Sequence, residues 1–214
     1  MIRLYNYWRS SASYRVRIAL GLKNLAYEYV PVHLPKKEHQ ASPHRARNPM
    51  EQIPAIELAI DGKVRLVAQS IAILEMLEEL HPAPPLLPKD TYLRARTREL
   101  AEIVNAGIQP HQNMTPMARI DALGKGAGRA SAIHFNEVGL AAYEERVSET
   151  AGKYSIGDSP TFADVCLVPQ LYSARRFEID VNARFPTLAK IDAALAELPG
   201  VAAAHPDRQP DANS

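Results

Sequence analysis

The pattern of the chain predicts an α/β first domain followed by an all-α second domain. Three observations carry this reading. Residues 1–81 alternate strand and helix signals in the order β-α-β and then β-β-α. Beyond Asp90 every patterned segment has a helical period and no strand pair emerges. Between the two stands His81-Pro82-Ala83-Pro84-Pro85, whose prolines remove backbone donors and disfavour helix in the residue before each. The expected domains are therefore 1–82 and 89–214, with a linker at 83–88.

The elements follow in order. Ile2–Tyr7 is short, apolar and aromatic and reads as a strand. Ser10–Lys23 reads as a helix, with Val16, Ile18, Ala19, Leu20 and Leu22 at helical intervals behind two serines. Ala26–Val32 reads as a second strand. Ala55–Ile60 and Val64–Ala68 flank Asp61-Gly62, a hairpin turn signal. Gln69–Leu80 is amphipathic, with Ile71, Leu74, Leu77 and Leu80 on one face. In the second half, Tyr92–Ile108, Ala130–Thr150, Thr161–Arg175 and Thr187–Leu198 read as helices, and Gly124–Gly128 as a flexible loop. Thr161 and Asp164 form a variant of the capping box.

Composition narrows the function classes. The 214 residues carry 25 Lys and Arg against 24 Asp and Glu, a net charge of +1, which argues against a dedicated nucleic-acid binder. With 46% hydrophobic residues the chain is of the folded, globular class. No run approaches the roughly 18 apolar residues of a membrane span, and the start lacks the apolar stretch of a signal peptide. The single cysteine, Cys166, forms neither an internal disulfide nor a Cys-rich zinc site. A reduced, soluble, cytoplasmic protein without metal, nucleic-acid partner or membrane anchor is the expectation. The 17 prolines stand somewhat above the ordinary frequency of about 5%.

Three stretches could carry chemistry. Trp8-Arg9-Ser10-Ser11-Ala12-Ser13 spans a strand–helix junction, where unpaired N–H groups and the positive end of the helix dipole favour an anion. The serine hydroxyls could donate to a thiolate or carboxylate, or only cap the helix. In Gln52-Ile53-Pro54 a cis proline would leave the backbone before it open to an extended peptide. Gln69-Ser70 opens the next helix and could bind an anion or only cap it. His111 and His134 lack metal-site spacing. Arg15 and Arg17 read as structural, pairing with acids across the domain boundary.

Longer segments identify a family. RSSASYRVRIAL (Arg9–Leu20), NPMEQIPAIEL (Asn48–Leu58), QSIAILEMLEEL (Gln69–Leu80), GIQPHQN (Gly107–Asn113), GDSPTFADVCLVPQ (Gly157–Gln170), ARRFEID (Ala174–Asp180) and HPDRQPD (His205–Asp211) together resemble the glutathione transferase superfamily, most closely its zeta class. That class includes maleylacetoacetate isomerases and bacterial maleylpyruvate isomerases. The resemblance implies a thioredoxin-like N-terminal domain, an all-helical C-terminal domain, glutathione as cofactor and a homodimer.

By the same resemblance, Ser10 and Ser11 face the glutathione sulfur, Ile53 beside Gln52 pairs with its cysteinyl backbone, and Gln69 and Ser70 hold its γ-glutamyl carboxylate. His39 lies near the glycine end, and Gln109, Asn113, Met114 and Thr115 approach from the helical domain. Arg9 and Arg176 are the candidates for the carboxylates of a doubly acidic substrate, because a guanidinium matches a carboxylate bidentately. On its own, Arg176 reads better as an ion-pair partner of Glu178 or Asp180, because surface arginines commonly have such partners and few bind substrates. Ala12 departs from the class, many members of which have cysteine there.

The activity so implied is isomerisation of maleylacetoacetate or maleylpyruvate to the fumaryl isomer by reversible thiolate addition, in aromatic catabolism. The alternatives are a general glutathione transferase, a glutathione-dependent dehalogenase of α-halo acids, or a non-catalytic protein of the same fold.

Overall fold

The computed structural model describes residues 1–212. The chain forms two compact units. The first is Met1–Pro85 together with residues 197–212, and the second is Leu86–Ala196.

The first unit is built on a four-stranded sheet of order β2-β1-β3-β4. Strand β1 (Ile2–Asn6) pairs in parallel with β2 (Tyr27–Pro31) and antiparallel with β3 (Ala55–Ile60), which forms a hairpin with β4 (Lys63–Ala68). Helix α1 (Ser11–Leu22) crosses from β1 to β2, α2 (Ser42–Arg47) lies between β2 and β3, and α3 (Ser70–Leu80) follows β4. One core cluster joins Leu4, Ile56 and Leu58 of the sheet to Val16 and Leu20 of α1 and Ile73 and Leu77 of α3. Burying such side chains stabilises by about 1.5–3 kcal/mol each. A second cluster gathers Tyr5, Tyr7, Val32, Ile53 and Ala55, with Trp8 against it. The chain thus bears out the thioredoxin-like order expected of its first part.

The second unit is helical: α4 (Thr91–Asn105), α5 (Met114–Asp121), α6 (Ala127–Val147), α7 (Phe162–Arg176), α8 (Val181–Arg184) and α9 (Pro186–Ala196). Helix α4 packs on α6 and α7. At the start of α7, Asp164 accepts from the backbone N–H of Thr161 (2.7 Å), its hydroxyl (3.0 Å) and the N–H of Ser155 (2.9 Å). No helix among the described residues is long and apolar enough to cross a membrane.

Three expectations are corrected. Gly124–Gly128 is not one loop: Gly126, at φ 82°, precedes α6, and Gly128 lies inside it. A Cβ on Gly128 would stand 2.3 Å from the Met117 carbonyl oxygen, so this glycine serves a close approach of α5 to α6. Second, α2 and α5 were not expected as helices. Third, residues 197–212 belong to the first unit, whereas the expected second domain ran to 214, the last two residues lying outside those described. Helix α10 (Pro199–Ala204) packs on α1, with the Gly21 and Gly200 backbones so close that a Cβ on Gly21 would be 2.5 Å from the Gly200 oxygen.

Candidate functional site

The first unit converges three backbone stretches: the Trp8–Ala12 turn, the Asn48–Pro54 loop and the start of α3. Each is held by identifiable contacts.

Ser10 is the N-cap of α1, in extended conformation (φ −68°, ψ 120°), with its Oγ accepting from the Ser13 N–H at 3.2 Å. Its own N–H donates to the Tyr7 carbonyl at 3.1 Å, which closes the turn from β1 into the helix. The cap reading and the catalytic reading are compatible. A hydroxyl oxygen that accepts an N–H bond still has its proton to donate, and accepting polarises that O–H further. Ser11 and Ala12 are the first helical residues, half-buried, in the turn whose N–H groups lack intrahelical partners. No acidic residue occupies the first turn of α1 or of α3, so no carboxylate of either turn neutralises the positive end of its helix. Arg9 is exposed, its guanidinium carbon 5.5 Å from the centroid of the Trp8 ring.

The Asn48–Pro54 loop ends in a cis Ile53–Pro54 bond, as the sequence reading anticipated. The Gln52 carbonyl accepts from Asn48 Nδ2 and His44 Nε2, both at 2.9 Å, which requires His44 to carry its proton on Nε2. Gln69, at φ 73°, immediately precedes α3 and reaches back to Gln52 (Nε2 to Oε1, 3.1 Å). Ser70 is buried, and its Oγ accepts from Arg15 Nη1 at 3.2 Å. His39 sits in a short 3-10 turn, Glu38–Gln40, and burial lowers its pKa, with His44 adding to the effect and Glu51 opposing it. Hydrogen bonds thus link Gln52 to Gln69 and α1 to Ser70, and Ile53 packs in one cluster with Tyr7 and Trp8 just before the serine turn.

In the second unit, Gln109, Asn113, Met114 and Thr115 fall together on a 3-10 turn (Gln109–Gln112) and the start of α5. Gln109 Nε2 donates to Asn113 Oδ1 at 2.8 Å, and Met114 and Thr115 are exposed. A buried amide cluster that the sequence reading did not single out anchors this turn. Gln170 Nε2 donates to Asn136 Oδ1 (2.6 Å) and Gln112 Oε1 (3.0 Å), and Asn136 Nδ2 to the same Gln112 oxygen (3.1 Å). Arg176 ends α7 and is exposed. Near the end of α7, Glu178 pairs with Arg129 at 2.7 Å, and Asp180 caps α8 through the Ala183 N–H. Arg175 pairs with Asp192 at 2.7 Å.

Arg17 corrects an expectation. Rather than reaching an acid across the domain boundary, its guanidinium donates within the first unit to Asn6 Oδ1 (3.0 Å) and to the carbonyls of Tyr7 (3.3 Å), Trp8 (2.8 Å) and Ala204 (3.1 Å). Asp211 accepts from the Trp8 N–H at 3.2 Å and from the Tyr29 hydroxyl. The motif His205–Asp211 contained the signal for this. Its partners, backbone groups of Trp8 and the side chain of Tyr29, had no counterpart in the pattern.

Comparison with known proteins identifies the family. Residues 1–79 match the glutathione S-transferase N-terminal domain family and residues 135–199 the C-terminal domain family. The probable maleylacetoacetate isomerase 2 of Drosophila melanogaster is 44% identical over 97% of this chain and 89% of its own. A maleylpyruvate isomerase of Ralstonia sp is 42% identical over 98% and 99%. The crystal structure of maleylacetoacetate isomerase from Anaeromyxobacter dehalogenans 2CP-1, with glutathione bound in its active site, superposes with a TM-score of 0.92 at 52% identity, covering 99% of this chain and 98% of that one. A maleylpyruvate isomerase described as a bacterial zeta-class glutathione S-transferase gives a TM-score of 0.91 at 42% identity, covering 98% and 99%. On these matches, the chain belongs to the glutathione S-transferase family and, within it, to the zeta class of maleylacetoacetate and maleylpyruvate isomerases.

Proposed function

We propose that the protein is a glutathione-dependent cis–trans isomerase that converts maleylacetoacetate or maleylpyruvate to the fumaryl isomer. The observation that carries this reading is the pair of helix starts in the first unit, Ser10–Ala12 and Gln69–Ser70, free of acidic residues and tied together by Arg15. The donor set fits glutathione: hydroxyl and amide donors at one end suit a thiolate, and those at the other suit a carboxylate. Bound glutathione supplies a thiolate that adds reversibly to the cis double bond, permits rotation about the resulting single bond and departs unconsumed.

The chain's task is to ionise the thiol and hold the substrate. A free thiol has a pKa of about 8.5, and lowering it by about two units needs roughly 2.7 kcal/mol of preference for the anion. In this proposal the Ser10 hydroxyl donates one charge-assisted hydrogen bond and the first-turn amides of Ser11 and Ala12 supply the rest. Alanine at position 12 contributes through its backbone alone. Gln69 and Ser70 receive the γ-glutamyl carboxylate. Ile53 offers its backbone to the cysteinyl residue, beside Gln52, and His39 serves the glycine end. Gln109, Asn113, Met114 and Thr115 are assigned to the ligand from the second unit. Arg9 and Arg176 are assigned to the substrate carboxylates. A structure of the relative from Anaeromyxobacter dehalogenans with bound dicarboxyethyl glutathione and citrate supports a site for carboxylates beside glutathione.

The proposal includes a cytoplasmic homodimer. The test is an assay following loss of the cis enone absorbance of maleylacetone and maleylpyruvate. Turnover requiring only catalytic glutathione supports the isomerase, and binding of glutathione without turnover of either compound would sink it. Sedimentation reads the dimer.

A further inference from the structure

We infer that Asp211 is a positioning residue for the thiolate site, acting through the Trp8 peptide. The inference rests on the glutathione reading above and adds to it a part for the segment 204–211.

The Trp8 peptide is clamped at both of its polar groups. Its N–H donates to Asp211 Oδ2 at 3.2 Å, and its carbonyl accepts from Arg17 Nη2 at 2.8 Å. Arg17 and Asp211 are both buried. The same guanidinium holds the preceding carbonyl, that of Tyr7, and Ala204, so the segment before the turn is tied to the 204–211 strap at two points. The second carboxylate oxygen of Asp211 accepts from Tyr29 of β2, which fixes the carboxylate itself. Ser10 lies two residues past this clamp, and its N–H returns to the Tyr7 carbonyl. The placement of the Ser10 hydroxyl and of the first-turn amides therefore depends on where residues 6–8 are held. Donors fixed before the anion arrives need no reorganisation to stabilise it, and slack of about an ångström costs much of that benefit.

The sign of the effect distinguishes positioning from simple charge. Asp211 is an anion. If it acted only through its field, removing it would favour a nearby thiolate and lower the thiol pKa. If it acts by holding the turn, removing it spoils hydrogen bonds that the thiolate needs more than the thiol does, and the pKa rises. The titratable or charged groups around it include Arg17 of α1, Tyr29 of β2 and, facing Arg17, Tyr14 and Tyr27, with the His205 ring edge-on to Tyr14.

The experiment titrates the thiolate absorbance of glutathione bound to the full chain and to Asp211→Ala and Asp211→Asn. Asparagine keeps an acceptor for the Trp8 N–H and drops the charge. The expected result is a midpoint raised by about 0.5–1 pH unit in Asp211→Ala, roughly three- to tenfold less thiolate below the midpoint, with Asp211→Asn restored close to the parent. A midpoint that falls in both variants, or stays at the parent value while the melting temperature drops, overturns the inference. Should Asp211→Ala not fold, Asp211→Glu, which displaces the carboxylate by one methylene, takes its place with the same expected rise and the same overturning results. Absence of glutathione binding by the parent chain would refute the functional reading itself, a result separate from any of these.

Discussion

Arg15 Nη1 lies 3.2 Å from Ser70 Oγ, so a buried hydrogen bond joins α1, just past its first turn, to the first residue of α3, and the starts of the two helices are held in register. In the proposed site one turn receives the sulfur of glutathione and the other its γ-glutamyl carboxylate. Ser70→Ala removes an acceptor from a buried guanidinium and is expected to cost about 1–3 kcal/mol of stability. It should also weaken glutathione binding roughly tenfold, the share of one charge-assisted contact. Chemical denaturation and calorimetric titration check the two effects. Unchanged affinity would remove Ser70 from the ligand's contacts.

Ser10 is given two tasks, capping α1 and donating to the thiolate, and two substitutions separate them. Ser10→Ala loses both and should destabilise by about 1 kcal/mol, whereas glycine at an N-cap costs only a few tenths. Ser10→Gly is therefore expected to melt near the parent temperature while the pKa of the bound thiol rises by about one to two units in either variant. If Ser10→Gly retains the parent's thiolate titration, the hydroxyl is only a cap.

Arg176→Ala is expected to lower kcat/KM for the isomerisation by roughly ten- to a hundredfold, the loss of about 1.5–3 kcal/mol from a charge-assisted pair. Glutathione affinity should stay within about twofold, because the side chain is assigned to the substrate. Steady-state kinetics beside binding measurements decide this. An equal loss in both would place Arg176 on the cofactor.

The pH response of stability should carry a contribution from His39. Burial holds its folded pKa below the ordinary histidine value of about 6.5. The unfolded chain then takes up the proton first as the pH falls. The stability due to neutral His39 is complete above about pH 6.5 and declines on acidification until the folded imidazole also titrates. Melting temperatures measured between about pH 7.5 and 5 should show this decline, and His39→Gln should flatten that part of the curve. An imidazole resonance titrating at or above the ordinary value would refute it.

The strands and the main helices were legible because each buries one side. Leu4, Ile56, Val16 and Leu77 announce themselves by period and stand in one core cluster, whereas in α3 Ile73, off the expected face, is buried and Leu80, on it, is exposed at the end of the helix. Helix α2 did not, because Pro43, His44, Arg45 and Arg47 give it no apolar stripe. Gly128 read as slack when its missing side chain in fact admits the Met117 carbonyl. The serine turn, the cis Pro54 and the Gln69–Ser70 start were readable from local chemistry. What held them was not. Arg17 and Asp211 act on backbone groups far away in the chain, and Gln112, Asn136 and Gln170 meet from three separate elements. Such pairings have no spacing of their own, since any carbonyl or amide would serve as a partner if the fold brought it near.

The clamp on Trp8 also orders events in time. Trp8 and its anchor Asp211 are 203 positions apart, and Arg17 and Ala204 are 187 apart. At a synthesis rate of about 5–20 residues per second, the anchor is made roughly ten to forty seconds after the turn it steadies. The core that α1 and β1 share also draws on Ile56, Leu58, Ile73 and Leu77, so it is complete once α3 is made, while the serine turn still lacks its stays. On this account the sheet and its core can be in place before the serine turn is steadied.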